Sequence, residues 1–139
     1  MAETARFIEL YARGVLRLSG ADRVAFLQGL VSNDVAAASP RRAIYACLLS
    51  AQGRFQFDFF VMADDQSLLL ETERARLPDL VKRLRLFKLR SAVEMTDVSD
   101  RFAVLALPDA AGEAGAAAAF RWGVSFTDPR WAGLGARAL

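Results

Sequence analysis

A lone carboxylate, Asp58, interrupts the aromatic run Phe55-Gln56-Phe57-Asp58-Phe59-Phe60-Val61. Side chains alternate along an extended chain, so Phe55, Phe57, Phe59 and Val61 form one apolar row, and Asp58 stands with Gln56 and Phe60 on the other side. A carboxylate placed there can hold a protonated or hydrogen-bonding nitrogen, and partial desolvation would raise its pKa into a range suited to proton transfer near neutral pH. The same pattern also describes an amphipathic strand whose acid merely meets water. Two other pairs carry a similar two-sided reading. Asn33-Asp34 either line a pocket with Asp58 or form a cap and turn after a helix. In Gly53-Arg54 the glycine permits a turn with positive φ, and the arginine either reaches a ligand or faces water.

Other chemistries have less to work with. The chain has no histidine and one cysteine, Cys47, so an intrachain disulfide is excluded and the usual nitrogen and sulfur ligands of zinc or iron are missing. No metal site is expected. Cys47 lies in an apolar stretch and reads as an inert core residue. Eighteen basic residues against 16 acidic ones give a net charge of +2, too balanced to point to nucleic acid as the main partner. Basic residues gather between Arg74 and Arg90, where a helix face could attract polyglutamate, an acidic partner or RNA, or could simply be solvated. Aromatic residues are not interleaved with these charges apart from Phe87, so base stacking has little support. No uninterrupted apolar run of about 18 residues exists, and Met1-Ala2-Glu3-Thr4-Ala5-Arg6 lacks the layout of a signal peptide. The expected location is cytoplasmic, without a membrane segment.

At 139 residues and 54% hydrophobic composition, the chain fits one domain with a real core. Val15 to Ser19 alternates like a half-buried strand and stops at Gly20. Ser19 and Asp22 have capping-box spacing, which predicts a helix over Ala21 to Val31 with Val24, Leu27, Leu30 and Val31 on one face. Ala43 to Leu49 and the aromatic run pair as a hairpin through Ser50-Ala51-Gln52-Gly53. Ser67 to Thr72 reads as a third antiparallel strand. Leu77, Leu80, Val81, Leu84 and Phe87 predict a helix from about Ala75 to Leu89, entered through Pro78. Val93 to Val98 and Phe102 to Leu107 are strand candidates, and Trp122 to Phe126 is a further one before the turn Thr127 to Arg130. Ala110 to Phe120 is a helix or a loose connection. The order implies an α+β fold, a mainly antiparallel sheet with covering helices.

Phe26-Leu27-Gln28-Gly29-Leu30-Val31-Ser32-Asn33-Asp34-Val35 resembles the FLQG-x-x-[TS]-ND-V segment of the YgfZ family, relatives of the glycine-cleavage T-protein aminomethyltransferase. Leu49-Ser50-Ala51-Gln52-Gly53-Arg54-Phe55-Gln56-Phe57-Asp58 is similar to the family's second element, a Ser or Thr turn with Gly-Arg leading into an apolar strand. Arg85 to Glu94, and Asp128-Pro129-Arg130 with Leu134-Gly135, add two further similarities in family order. The family's Lys-Gly-Cys-Tyr-x-Gly-Gln stretch is not in this sequence, and Cys47 is not its cysteine.

The resemblance implies a T-protein/YgfZ-like folate-binding domain, with residues 1–139 as its N-terminal portion and the downstream part of the fold not represented. It implies tetrahydrofolate or a derivative as cofactor, iron-sulfur proteins as partners, and a role as accessory factor in iron-sulfur cluster assembly or repair rather than as a complete catalyst. On the same basis Asp58 would sit beside the pterin as the catalytic candidate. Asn33, Asp34, Gly53 and Arg54 would complete the cofactor contacts, with Arg54 reaching a glutamate tail. The alternatives are a tetrahydrofolate-dependent aminomethyl or one-carbon transferase, and an interaction module using the basic helix 75–89. A half-built pocket would expose apolar surface, so a homodimer is a further expectation.

Overall fold

Leu16 and Leu18 turn to one side of strand β2 (Arg13–Ser19) and Val15 to the other, and all three are buried. A strand buried on both faces needs a layer above and a layer below it, and that requirement organises the molecule. The computed structural model describes residues 6–110 and 124–139. Strands β3 (Ile44–Leu49), β4 (Phe55–Ala63), β5 (Ser67–Glu73), β2 and β6 (Glu94–Asp97) form a five-stranded sheet in the order β3-β4-β5-β2-β6, antiparallel throughout. Strands β1 (Ile8–Glu9), β7 (Leu105–Leu107), β9 (Ala136–Ala138) and β8 (Ser125–Thr127) form a second antiparallel sheet in the order β1-β7-β9-β8. Helices α1 (Arg23–Gln28) and α2 (Leu77–Lys88) supply the remaining layer. The α+β class and the mainly antiparallel sheet with covering helices hold.

On the helix side Phe57, Phe59 and Val61 of β4 meet Leu68 and Leu70 of β5, Leu16 and Leu18 of β2, and Leu77, Leu80 and Leu84 of α2. Each such side chain stabilises the fold by about 1.5–3 kcal/mol relative to leaving it in water. On the opposite side Phe60, Met62, Leu69 and Val15 pack against Val104, Phe126 and Leu139, which belong to or flank the second sheet. The aromatic row is therefore one of two apolar faces of β4. Phe60, placed by alternation on the side of Asp58, is buried because a second sheet covers that side. Phe55, at the start of the row, is 57% exposed.

The first helix is shorter than its pattern. Ser19 pairs with Ser67 and Glu94 inside the sheet, and the Asp22 carboxylate accepts from the Ala92 amide at 2.7 Å instead of capping α1. No capping box forms. At the other end Val31 bridges to Leu48 and Ser32 N–H donates to the Cys47 carbonyl, so the sheet edge takes residues that would have extended the helix. Phe26 and Leu27 are the buried residues of α1, while Val24 is exposed. In α2 the Phe87 end of the apolar row is 41% exposed. Strands β6 and β7 are trimmed to Glu94–Asp97 and Leu105–Leu107, with a 3-10 turn, Ser99–Arg101, between them. Most of Ala110 to Phe120 and the start of the Trp122 to Phe126 candidate lie outside the described residues. No helix among the described residues is long and apolar enough to cross a membrane.

Candidate functional site

Asp58 sits half-buried on the face of β4 that looks toward the second sheet. Antiparallel pairing sets Cys47 opposite Asp58 and Tyr45 opposite Phe60, so Tyr45 and Asp58 are diagonal neighbours on one face. The Tyr45 hydroxyl donates to Asp58 Oδ2 at 2.5 Å. The hydrogen bond to Asp58, with burial second, holds the Tyr45 pKa well above its ordinary value, so the hydroxyl remains a donor. Thr72 of β5 donates to the Asp58 main-chain carbonyl at 2.8 Å and ties the strand in place from the other side.

Tyr45 and Asp58 line a cavity of about 460 Å³ together with Tyr11, Arg13, Phe60, Arg130 and Arg137. Phe60 is its floor. The guanidinium carbons of Arg137 and Arg130 lie 4.6 and 4.9 Å from the centre of its ring, and Tyr45 and Phe126 tilt against it at 5.5 and 5.8 Å. The arginines are held from behind. Glu71, fully buried in β5, accepts from Arg13 Nε on one oxygen and from Arg137 at 2.8 Å on the other. Asp128 is bidentate to Arg130 at 3.0 and 2.7 Å. Burial pushes the Asp128 carboxyl up, but the bonds from Arg130 outweigh it and hold its pKa below the usual carboxylate range. Arg137 Nε is shielded from solvent and has no hydrogen-bond partner among the described residues.

A second cavity, of about 680 Å³, adjoins the first through Tyr45 and Arg130 and is lined by Asn33, Arg41 and Arg42 among others. Asn33 Nδ2 donates to the Tyr45 carbonyl at 3.0 Å, which links the Asn33 loop to the residue that holds Asp58. Gln28 fixes that loop by donating to the Asn33 carbonyl and accepting from the Val35 amide at 2.7 Å. The arrangement can present one acid, aromatic faces and several guanidinium groups to a flat, hydrogen-bonding ligand that also carries negative charge. Among the described residues no three acidic, histidine or cysteine side chains gather to hold a metal ion.

Residues 1–114 match the GCVT N-terminal domain family. The chain belongs to that family. It is 35% identical over 140 residues to the iron-sulfur cluster assembly factor IBA57 homolog, mitochondrial, of Mycosarcoma maydis, a match over 91% of this chain and 34% of the relative. The homolog of the same name in Pyricularia oryzae is 28% identical over 140 residues, covering 98% of this chain and 36% of the relative. The chain thus spans about a third of the length of these curated relatives. The crystal structure of glycine cleavage system aminomethyltransferase T from Bartonella henselae superposes with a TM-score of 0.63 at 15% identity, over 73% of this chain and 28% of that one, a likeness of fold.

Within this GCVT N-terminal domain, the residues expected at the site divide. Asp58 and Asn33 line adjoining cavities. Asp34 is exposed and caps the 3-10 turn Val35–Ala37 by accepting from the Ala36 amide, which is the cap-and-turn alternative. Gly53, at φ +78°, forms the exposed tip of the β3–β4 hairpin. Arg54 follows it in solvent, its amide held by Ser50 Oγ, and neither residue lines either cavity. Cys47, read as a core residue, is only half-buried and lies on the Tyr45–Asp58 side of β3. The residues that sequence reasoning missed are Tyr45, Glu71, Arg13, Arg130 and Arg137. One signal was available for Glu71, a charge immediately after Leu68-Leu69-Leu70 in a strand with no polar alternation.

Proposed function

We propose that this chain is the front part, residues 1–139, of a YgfZ-like tetrahydrofolate-binding accessory protein that supports iron-sulfur cluster assembly or repair. The observation that carries the reading is the Asp58 carboxylate at the cavity between the sheets. One of its oxygens is committed to Tyr45, and the other has no hydrogen-bond partner among the described residues. A pterin suits this geometry. Its flat ring matches the guanidinium planes of Arg130 and Arg137 that cover Phe60, its ring N–H groups match the free carboxylate oxygen, and the volume falls in the range of about 300–1,000 Å³ usual for small-ligand sites. The glutamate portion of folate carries carboxylates that complement the positive charge of the cavity-lining Arg13, Arg130 and Arg137. Tetrahydrofolate itself would supply a carrier for one-carbon units, while the chain's own residues bind and orient the ring.

The cluster-assembly part of the reading rests on the relatives named above. Titration calorimetry of the purified chain with tetrahydrofolate tests the ligand, and saturable binding that weakens in Asp58→Asn is the expected result. Restoration of iron-sulfur enzyme activity in cells lacking the protein tests the role. A cytosolic location, the expectation from the sequence, belongs to the same reading. The relatives are mitochondrial by name, and subcellular fractionation decides between the compartments.

The one-carbon transferase alternative uses the same free oxygen of Asp58 as a proton acceptor. Methylene transfer assayed with the wild type and Asp58→Asn distinguishes it, because turnover that is absent or equal in both removes the catalytic role.

A further inference from the structure

The face of β4 opposite Asp58 carries a groove that the folate reading does not use. Arg76, just before α2, and Asp79, Arg83 and Leu86 along it recur at helical spacing beside the buried row Leu77, Leu80 and Leu84. With Lys82 they form one wall of a groove of about 570 Å³, and Phe55 and Phe57 of β4 form the other. Its rim is apolar where it meets solvent, with Phe55 57% and Leu86 64% exposed.

Its charge is one-sided. Three cations, Arg76, Lys82 and Arg83, face one acid, Asp79, and none of the four joins an ion pair among the described residues. Arg76 instead lies with its guanidinium carbon 4.3 Å from the Phe57 ring centre, and Arg83 5.1 Å from that of Phe87. Arg83 Nε is shielded and lacks a hydrogen-bond partner among the described residues. Cations resting on aromatic rings beside exposed apolar side chains match an occupant that brings both carboxylates and a large apolar side chain.

We propose that this groove docks an acidic segment of a partner protein, with a leucine- or phenylalanine-like side chain seated between Phe55 and Leu86 and carboxylates on Arg76, Lys82 and Arg83. A second copy of this chain is a poor occupant, because a two-fold contact through the same patch would set these cations against their own copies. Nucleic acid fits less well, since its phosphates make no use of the exposed Leu86 side chain. The patch is small, which suits a transient contact.

The test is fluorescence anisotropy of the full chain with a short fluorescent peptide in which glutamates flank leucine and phenylalanine, alongside the same peptide with lysines for glutamates. Saturable binding of the acidic peptide alone is expected. It should weaken by about tenfold or more in the Lys82→Glu/Arg83→Glu variant and, separately, in Leu86→Ser. Salt should weaken it as screening shortens from about 10 Å at 0.1 M to about 3 Å at 1 M. The substituted side chains lie outside the buried row of α2, and an unchanged thermal melt checks that the fold is intact. Equal binding of both peptides overturns the proposal. So does acidic-peptide binding indifferent to Leu86→Ser, tighter binding of polyuridylate RNA than of the peptide, or a concentration-dependent dimer that Leu86→Ser abolishes.

Discussion

Tyr45 Oη and Asp58 Oδ2 lie 2.5 Å apart across the β3–β4 pairing, one diagonal step in the register. Because backbone pairing sets that diagonal, the acid is oriented before any ligand arrives, and its second oxygen is left toward the cavity. Asn at this position keeps the shape and still accepts from Tyr45, but it loses the charge that a ring N–H would meet. A hydrogen bond to a charged group contributes about 1.5–3 kcal/mol. Asp58→Asn should therefore weaken tetrahydrofolate about tenfold to a hundredfold by calorimetry, with little change in thermal midpoint.

The same bond makes an alkaline prediction. An unfolded tyrosine ionises at about pH 10, whereas Tyr45 in the fold stays protonated to higher pH because its hydroxyl donates a hydrogen bond to Asp58 and burial opposes the phenolate. The folded state then holds a proton that the unfolded state releases. The stabilisation is fully present below about pH 10 and is lost as pH rises above it. Urea melts at a series of pH values should show a falling alkaline limb for wild type and a shallower one for Tyr45→Phe.

The sheet was legible where period and burial agree, and Leu16 with Leu18, or Phe57 with Phe59, sit where alternation puts them. What escaped depends on the second layer. Nothing in Phe60 itself says that Phe126 and Leu139 will cover it. Likewise the shortened α1 follows from the Val31–Leu48 bridge and the Asp22–Ala92 bond, both contacts between distant segments that a local helical period does not contain. At the site, Asp58 was visible as an acid in an aromatic strand, but its setting is assembled from far along the chain. Arg137 reaches Glu71 across 66 positions, and only the pairing of β9 between β7 and β8 brings it there.

Glu71 is the acid on which that assembly turns. It is fully buried and accepts from two arginines whose side chains are 25% and 10% exposed. Removing one partner of a buried ion pair leaves an uncompensated charge and costs about 3–5 kcal/mol. Glu71→Ala should lose that much in urea denaturation, and it should weaken tetrahydrofolate as Arg13 and Arg137 drift. A Glu71→Leu/Arg13→Met/Arg137→Met triple variant should recover much of the stability but none of the lost binding, because it replaces all three charges without restoring the guanidinium groups at the cavity.

Two glycines with positive φ separate scaffold from site. Gly20, at φ +108°, joins β2 to α1, and a Cβ there would fall 2.1 Å from the Ala92 carbonyl oxygen. Backbone must move, so Gly20→Ala combines a conformational cost of about 1–2 kcal/mol with overpacking of about 1–3 kcal/mol. Gly53, at φ +78°, has nothing within 4 Å of its would-be Cβ, and Gly53→Ala should cost only the conformational part, about 1–2 kcal/mol. Since the hairpin tip does not line the Asp58 cavity, Gly53→Ala and Arg54→Ala should bind tetrahydrofolate as wild type does. A loss of affinity in either variant without a matching loss of stability would mean that the tip closes over the ligand, and would return both residues to the binding site.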